Sequence, residues 1–565
     1  MDLSELKETD AWRLYEQGKN YLRRTNAYTD TDKNYRMYGG NQWEGAKIEG
    51  IEQAQYNFIE TIVNHKVSVL NQNLWQINYS SENFENQEFR KTAEDTCRLL
   101  NKKASKVWEK DQIDYLIREL SDDACINDEG IWYVTYDEKN QSPVNELLNK
   151  TDVHYGNENS SNIQSQPYII ISQRKSVIEI QEIARELGIN EEKIKSINGD
   201  NDYFEEAGES SKIEKDSKCT LVTKFWKEKG KVFYSQSTRY VDIKEKEDSG
   251  LSYYPLSHFI WKSKKGSSRG EGEVRYLIPN QLELNKTLAR MLLSVKQNAY
   301  PTKVVNIDKI NNPSAINKIG GVIKAKGGAT IDDVHKIFTT ISPQNMSTDV
   351  GKTISDLLGI TRDLKNASNI ATGGVNPEQA SGKAILAVQQ AAQQPIVKQL
   401  TNLKMCVEEI ARIWLDMWIT YTSDTLKLEK DIKDENGIET TKIVDIPISV
   451  LENLKADVKV DITPKSPFDK YARELSLENL FKNGFFNAQK LNELKIYAKI
   501  LPDDSTMPKQ DILKAIELEE EEQRKIAEIN SKAQLMKMRA NQFLNNEPET
   551  QASQINEAMT EVPTE

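Results

Sequence analysis

Residues 378–421 read EQASGKAILAVQQAAQQPIVKQLTNLKMCVEEIARIWLDMWITY, and the organisation of the whole chain turns on this stretch. Apolar residues recur at helical spacing from Ala384, Ile385 and Val388 through Ile396, Leu400, Leu403, Val407 and Ile410 to Trp414, Trp418 and Tyr421. A single helix of this span has about 44 residues and a length of about 66 Å. Pro395 lies inside it and predicts a kink, because proline removes one rung of the hydrogen-bond ladder. The helix is entered through the glycine-, asparagine- and proline-rich segment 366–377, NASNIATGGVNP, which predicts a flexible loop. Compact enzyme domains seldom need so long a rod, whereas large assemblies often do.

Upstream, Val350, Ile354, Leu357, Leu358 and Leu364 align on a helix over 347–364. Before it, residues 302–341 have β character. Strands are predicted at Lys303–Ile307 and Val322–Ala325, turns at Gly320-Gly321 and Gly327-Gly328, and a helical turn at Asp332–Phe338. Another helix precedes that insertion, with Val274, Leu277, Ile278, Leu282, Leu288, Met291, Leu292 and Val295 on one stripe. Its regular part is expected to begin close to Pro279 and to end at Pro301. The order is therefore helix, small β-rich insertion, helix, flexible loop, very long helix.

The N-terminal 135 residues read as mainly helical, over Leu3–Arg24, Asn57–Leu74, Glu88–Trp108 and Ile113–Asp122, with an aromatic turn at Tyr35–Trp43. Residues 130–265 read as a small α+β unit. It has strands at Ile131–Tyr136 and Tyr168–Ser172, a helix at Ile178–Leu187 closed by Gly188, and a hairpin of Thr220–Lys227 with Lys231–Ser237. Polar segments 157–166 and 198–217 read as loops. The glycine-marked run 264–272 is the clearest internal boundary. Beyond Asp424, strands are expected at Leu426–Leu428, Lys442–Ile446 and Ala456–Ile462, and helices at Lys470–Asn483, Ala488–Lys499 and Gln510–Phe543.

Composition excludes several classes. No run approaches the roughly 18 uninterrupted apolar residues of a membrane span. The N-terminus has no basic region followed by an apolar core, so no signal peptide is expected. Four cysteines, Cys97, Cys125, Cys219 and Cys406, form no CxxC pair, which points to a reducing compartment. The net charge of −12 argues against a protein that coats DNA, although a channel wall that lets a duplex slide would avoid tight phosphate binding.

Catalytic patterns are missing as well. Gly351-Lys352-Thr353 lacks the earlier glycine of a phosphate loop, where Met346 stands, and Gly382-Lys383 has Pro377 at that place. The histidines His65, His154, His258 and His335 have no partner at metal-ligand spacing. No GxSxG elbow occurs, and acidic pairs such as Asp122-Asp123 read as solvated turns. No catalytic residue, metal or cofactor is expected.

The run Gly270-Glu-Gly-Glu-Val-Arg-Tyr-Leu-Ile-Pro-Asn-Gln-Leu-Glu-Leu-Asn285 resembles the segment that opens the first stem helix of tailed-bacteriophage portal proteins. Ser347–Leu364 resembles the second stem helix, Asn366–Pro377 the tunnel loop, and Gln379–Leu386 the start of the long wing helix. Tyr38-Gly-Gly-Asn-Gln-Trp43 is similar to the family's N-terminal region. The resemblance covers most of residues 30–500 in the order of its elements. It implies a mainly α fold with an α+β wing, divided into wing, stem, clip and crown, with a long kinked wing helix.

On that template the wing is 1–272 plus 378–470, the stem 273–299 plus 347–365, the clip 300–346, the tunnel loop 366–377 and the crown 471–544. Residues 545–565 are expected to form a disordered tail. The resemblance further implies a head-to-tail connector. It would be a ring of twelve identical subunits at one capsid vertex of the virion, assembled in the host cytoplasm, through which double-stranded DNA is packaged and ejected. Its partners would be terminase, head-completion and adaptor proteins, and the major capsid and scaffold proteins, with no membrane. Lys365, Asn366, Asn369 and Asn376 of the tunnel loop are expected to touch the DNA backbone transiently, and Gly373-Gly374 to let the loop move or, alternatively, simply to end a helix. In the clip, Lys303, Lys309, Lys318, Lys324 and Lys326 form a basic cluster suited to DNA or an acidic docking partner, or else to protecting exposed strand edges. A rival reading is a scaffold or adaptor that bundles its long helices without a channel. Another is a metal-dependent nuclease built on scattered carboxylates.

Overall fold

Helical and two-residue periodicities of buried apolar side chains build two units, residues 1–463 and 464–565. The computed structural model describes residues 7–44, 53, 55–80, 87–200, 218–299, 302–316, 318, 322–326, 338–341, 349–364, 394–422, 425–433, 439–448, 450–451, 457–464, 477, 479–483, 485, 491–500 and 509–544.

In the first unit, α1 (Asp10–Arg24) starts at Thr9, whose hydroxyl accepts the Trp12 amide. Asn26 at φ 57° turns the chain directly into α2 (Ala27–Tyr38). That helix extends through Tyr35–Tyr38, where the sequence reads as part of an aromatic turn; the turn itself falls at Gly39-Gly40, with Gly40 at φ 87°. Next come α3 (Phe58–Leu70), β1 (Asn73–Ser80), α4 (Gln87–Lys110) and α5 (Ile113–Ile126). The expected helix 57–74 stops at Leu70, and β1 follows because Trp75, Ile77 and Tyr79 alternate into the core.

Two sheets follow. β2 (Glu129–Asp137) is the centre of an antiparallel sheet between β3 (Ser142–Leu148) and β9 (Leu256–Ile260). The second sheet has the order β4 (Val153–Tyr155), β5 (Tyr168–Ser176), β6 (Lys218–Glu228), β7 (Lys231–Ser237), β8 (Asp242–Asp248). The β6–β7 hairpin appears where expected. Glu228 faces Lys231, and Lys229 and Gly230 both take positive φ, the two-residue turn whose twist suits paired strands. The short helices α6 (Val177–Glu186) and α7 (Glu191–Ile194) close a small apolar cluster beside this sheet.

Then α8 (Val274–Ala299) leads into β10 (Thr302–Val305), which pairs antiparallel with β11 (Phe338–Ile341), and α9 (Asp349–Leu364) returns. The helix begins at Val274 rather than near Pro279. Pro279 sits in its second turn, where only the rung to the Arg275 carbonyl is lost. Val322–Ala325 is not a strand: it meets the chain at the single bridge Ile310–Ala325. Asp332–Ile337 lies outside the described residues.

At Gln394–Ile396 the chain makes a 3₁₀ turn containing Pro395, and α10 (Val397–Tyr421) follows. Residues 378–393, the first part of the expected long rod, lie outside the described residues. One face of α10 is fastened at seven-residue intervals to β9 and to the loop that precedes it. Asn402 Nδ2 donates to the Ile260 carbonyl at 3.0 Å, and Glu409 accepts from the Ser257 hydroxyl. Asp416 Oδ2 accepts the amides of Ser252 (2.6 Å) and Tyr253 (3.1 Å). Trp132, Trp261, Trp414 and Trp418 are fully buried in the shared core. β12 (Thr425–Lys433) pairs antiparallel with β13 (Glu439–Pro447), and β14 (Asp457–Pro464) pairs with β1.

The second unit contains α11 (Leu491–Ile500) and α12 (Lys509–Leu544), close to the expected spans. Of the expected helix 470–483, residues 479–482 are described as helical, and Phe481 meets Tyr497 with ring centroids 5.1 Å apart. The tail 545–565 lies outside the described residues. Among the described residues, no helix is long and apolar enough to cross a membrane.

Candidate functional site

The helix–β-lobe–helix hairpin of α8, β10, β11 and α9 is rooted in the body of the first unit by the segment Arg269-Gly-Glu-Gly-Glu273. Its glycines are there because backbone presses on them. A Cβ on Gly272 would lie 2.1 Å from the Asn127 carbonyl oxygen, and one on Gly270 would lie 2.5 Å from that of Lys262. Glu273, one residue before α8, is buried. Its Oε1 accepts from Lys262 (2.7 Å), Lys66 (3.0 Å) and the Trp261 indole (3.2 Å), while its amide donates to the Cys125 carbonyl at 2.8 Å.

Arg269 is buried in the same segment. Its guanidinium donates to Glu129, to the Lys150 carbonyl (2.9 Å) and to the Val153 carbonyl (2.6 Å), and it lies over the Tyr155 ring. Burial would push the Glu129 carboxyl up, but Arg269, His258 and Lys150 outweigh it and hold the group below the usual carboxylate range. The start of α8 is thereby tied to β2, β4, β9 and α3.

Two turns further, polar residues interrupt the apolar stripe of α8 at four-residue spacing. Gln281 Oε1 accepts the Phe58 amide (3.1 Å), and its Nε2 donates to the Tyr56 carbonyl (2.7 Å) and to Asn285 (2.9 Å). Asn285 donates to Gln42 (2.6 Å), which in turn donates to Asn57 (3.0 Å) and the Met37 carbonyl (3.2 Å). The Tyr38–Trp43 segment thus contributes Gln42 as a strut against α8.

The two long helices of the hairpin run antiparallel. Asn280 near the start of α8 donates to Thr361 near the end of α9 at 3.0 Å, while β10 and β11 pair at the opposite end. Beyond Ala289 the character of α8 changes. Met291, Leu292 and Val295 are exposed, as are Ile360 and Leu364 on α9 and Val304, Ile307, Val322 and Ile341 in the β lobe. Val295 is 57% exposed, Val322 72% and Leu364 73%, values ordinarily reached by polar residues.

The β lobe is basic within an acidic protein: residues 300–346 contain six lysines and three aspartates. Lys303, Lys309, Lys318, Lys324 and Lys326 are all exposed. A short ladder brings three of them together. Lys326 donates its amide to the Lys309 carbonyl (2.9 Å), Asn311 donates to the Lys324 carbonyl (2.8 Å), and the Asn312 side chain clamps Val322 and Lys324 at 2.7 Å each. Lys303 instead reaches the Ile316 carbonyl at 2.7 Å, near Lys318. Lys365, Asn366, Asn369, Gly373, Gly374 and Asn376 lie outside the described residues, which stop at Leu364 and resume at Gln394.

Residues 168–563 match the family model for phage P22-like portal proteins. This chain belongs to that family. No curated protein matches it. The match starts at the first residue of β5 and includes the whole hairpin, α10 and α12, whereas α1 to α5 precede it. As a portal protein the chain is a structural component of a phage capsid vertex and works as an oligomeric ring.

Sequence reasoning missed the features that seat this portal protein's hairpin. Arg269, Glu129 and His258 are too far apart in the chain to form a motif, but polar Gln281 and Asn285 inside an apolar stripe were a readable signal of a buried network. A second signal lies in α12. Ile526, Ile529, Ala533 and Met536 recur at alternating three- and four-residue spacing, and Ile529 is 65% and Met536 71% exposed.

Proposed function

We propose that this portal protein forms a ring of twelve subunits at one capsid vertex and is the channel through which double-stranded DNA is packaged and ejected. Residues 273–299 and 347–365 act as the stem, 300–346 as the clip, 366–377 as the tunnel loop, 1–272 with 378–470 as the wing, and 471–544 as the crown. The observation that carries this reading is the exposed apolar surface on α8, α9 and the β lobe of a single subunit. Soluble proteins seldom leave so much aliphatic surface in one region unless another surface covers it. A hairpin with two unlike flanks makes head-to-tail contacts, and these close into a ring when the rotation allows.

The same logic extends to α12, whose exposed heptad-spaced residues suit packing against the equivalent helix of neighbouring subunits. The exposed lysines of the clip, Lys303, Lys318, Lys324 and Lys326, form the docking face for terminase during packaging and for head-completion and adaptor proteins afterwards. Lys365, Asn366, Asn369 and Asn376 touch the DNA backbone as it passes, with Gly373 and Gly374 as the hinge of the loop. Capsid and scaffold proteins meet the wing.

Negative-stain electron microscopy of the purified full chain tests the assignment. A closed ring with a central hole is expected; an elongated dimer, or a monomer under all assembly conditions, overturns it in favour of a scaffold without a channel. Cryo-electron microscopy with DNA in the hole tests the loop, which must then lie against the duplex.

A further inference from the structure

His154 stands on β4, paired with Ile170 of β5, beneath α1. Its side chain is buried, and neither ring nitrogen has a hydrogen-bond partner. The Tyr15 ring meets it edge-on at 5.1 Å. Gly18 faces it from α1 so closely that a Cβ there would lie 2.7–2.9 Å from His154 Cβ, Cγ and Nδ1. The helix backbone is therefore seated on the imidazole, with no room between them for water. The layer between α1 and the sheet is otherwise apolar, made of Ala11, Trp12, Tyr15, Ile170 and Val222. The charged groups acting on the ring are both cations: Arg269, from the segment before α8, and Lys19 of α1. From β5 the ring meets Ile170, which offers neither charge nor hydrogen bond.

We propose that His154 makes the seating of α1 acid-labile: the site accepts only the neutral imidazole, so protonation requires the N-terminal helix to lift, and α1 is a strap that opens on acidification. The chemistry is one-sided. Burial, reinforced by Arg269 and Lys19, lowers the docked imidazole to about 3, against an ordinary value near 6.5 when exposed. A base whose docked value is lowered binds fewer protons when docked. Docking is therefore at full strength above about pH 6.5 and weakens as pH falls toward 3. Between pH 7.5 and pH 5 the docking equilibrium falls by about thirtyfold. Glu8 and Glu16 also hold α1, both against Arg239. Lifting α1 would uncover Trp12 and the sheet face of Ile170 and Val222.

Hydrogen exchange with mass spectrometry on the full-length ring tests this. After correction for intrinsic rates, the opening equilibrium of amides 13–24 should rise about thirtyfold from pH 7.5 to pH 5, while those of α3 stay constant. His154→Leu, with His154→Met as a second apolar replacement, should abolish the rise. A native ring whose α1 exchanges identically at both pH values overturns the proposal, as does an apolar variant that keeps the acid response.

Discussion

The two ends of α8 are satisfied in opposite ways. Near Val274 the buried polar groups are met within the same chain: Glu273 receives three donors, Arg269 reaches three acceptors, and Gln281 and Asn285 tie the helix to the α2–α3 connection. Past Ala289 the same helix leaves Met291, Leu292 and Val295 uncovered. The root is finished by folding, whereas the far end is finished only by association. A subunit built this way carries information about how it assembles in the surface it leaves uncovered.

Four changes test that contrast, from the largest expected effect to the smallest. Arg269→Leu strands Glu129 and His258 in a buried site and should cost about 3–5 kcal/mol in denaturant unfolding of the subunit; a loss below 1 kcal/mol would mean the charges do not secure the root. Gly272→Ala drives a methyl into the Asn127 carbonyl and should destabilise by about 1–3 kcal/mol through forced backbone movement. Unchanged thermal unfolding would show the segment to be slack. Val295→Asp should leave subunit stability within about 0.5 kcal/mol while preventing ring closure, read by native mass spectrometry. An intact ring would break the contrast outright. Reversing Lys324 and Lys326 to glutamate should alter neither fold nor ring and should weaken terminase docking and packaging. Wild-type packaging would reduce those lysines to a solvated edge.

Legibility in the sequence followed periodicity and failed where contacts are long-range. The stripes of α8, α9 and the C-terminal part of the long rod stood out because each keeps its apolar residues on one face, whether the chain itself covers that face or, as past Ala289, leaves it exposed. β8, with the sequence DIKEKED, was missed because an exposed edge strand carries charge instead of alternation. Only Asn73 and Leu74 of β1 were absorbed into the preceding helix, because Leu74 extends its apolar spacing past Leu70. The end of α2 was obscured by reading the turn at Gly39-Gly40 four residues too early. Of the expected site, the clip lysines are exposed, and three of them share one short ladder. The Arg269–Glu129–His258 cluster was not legible, since β2, β9 and the pre-α8 segment converge only in three dimensions.

Asn402, Glu409 and Asp416 bolt α10 to β9 and the loop before it at steps of about 10.5 Å. A beam pinned at three heights resists sliding and twisting against its support. The 3₁₀ turn at Pro395, just before the beam, lies outside those three fastenings.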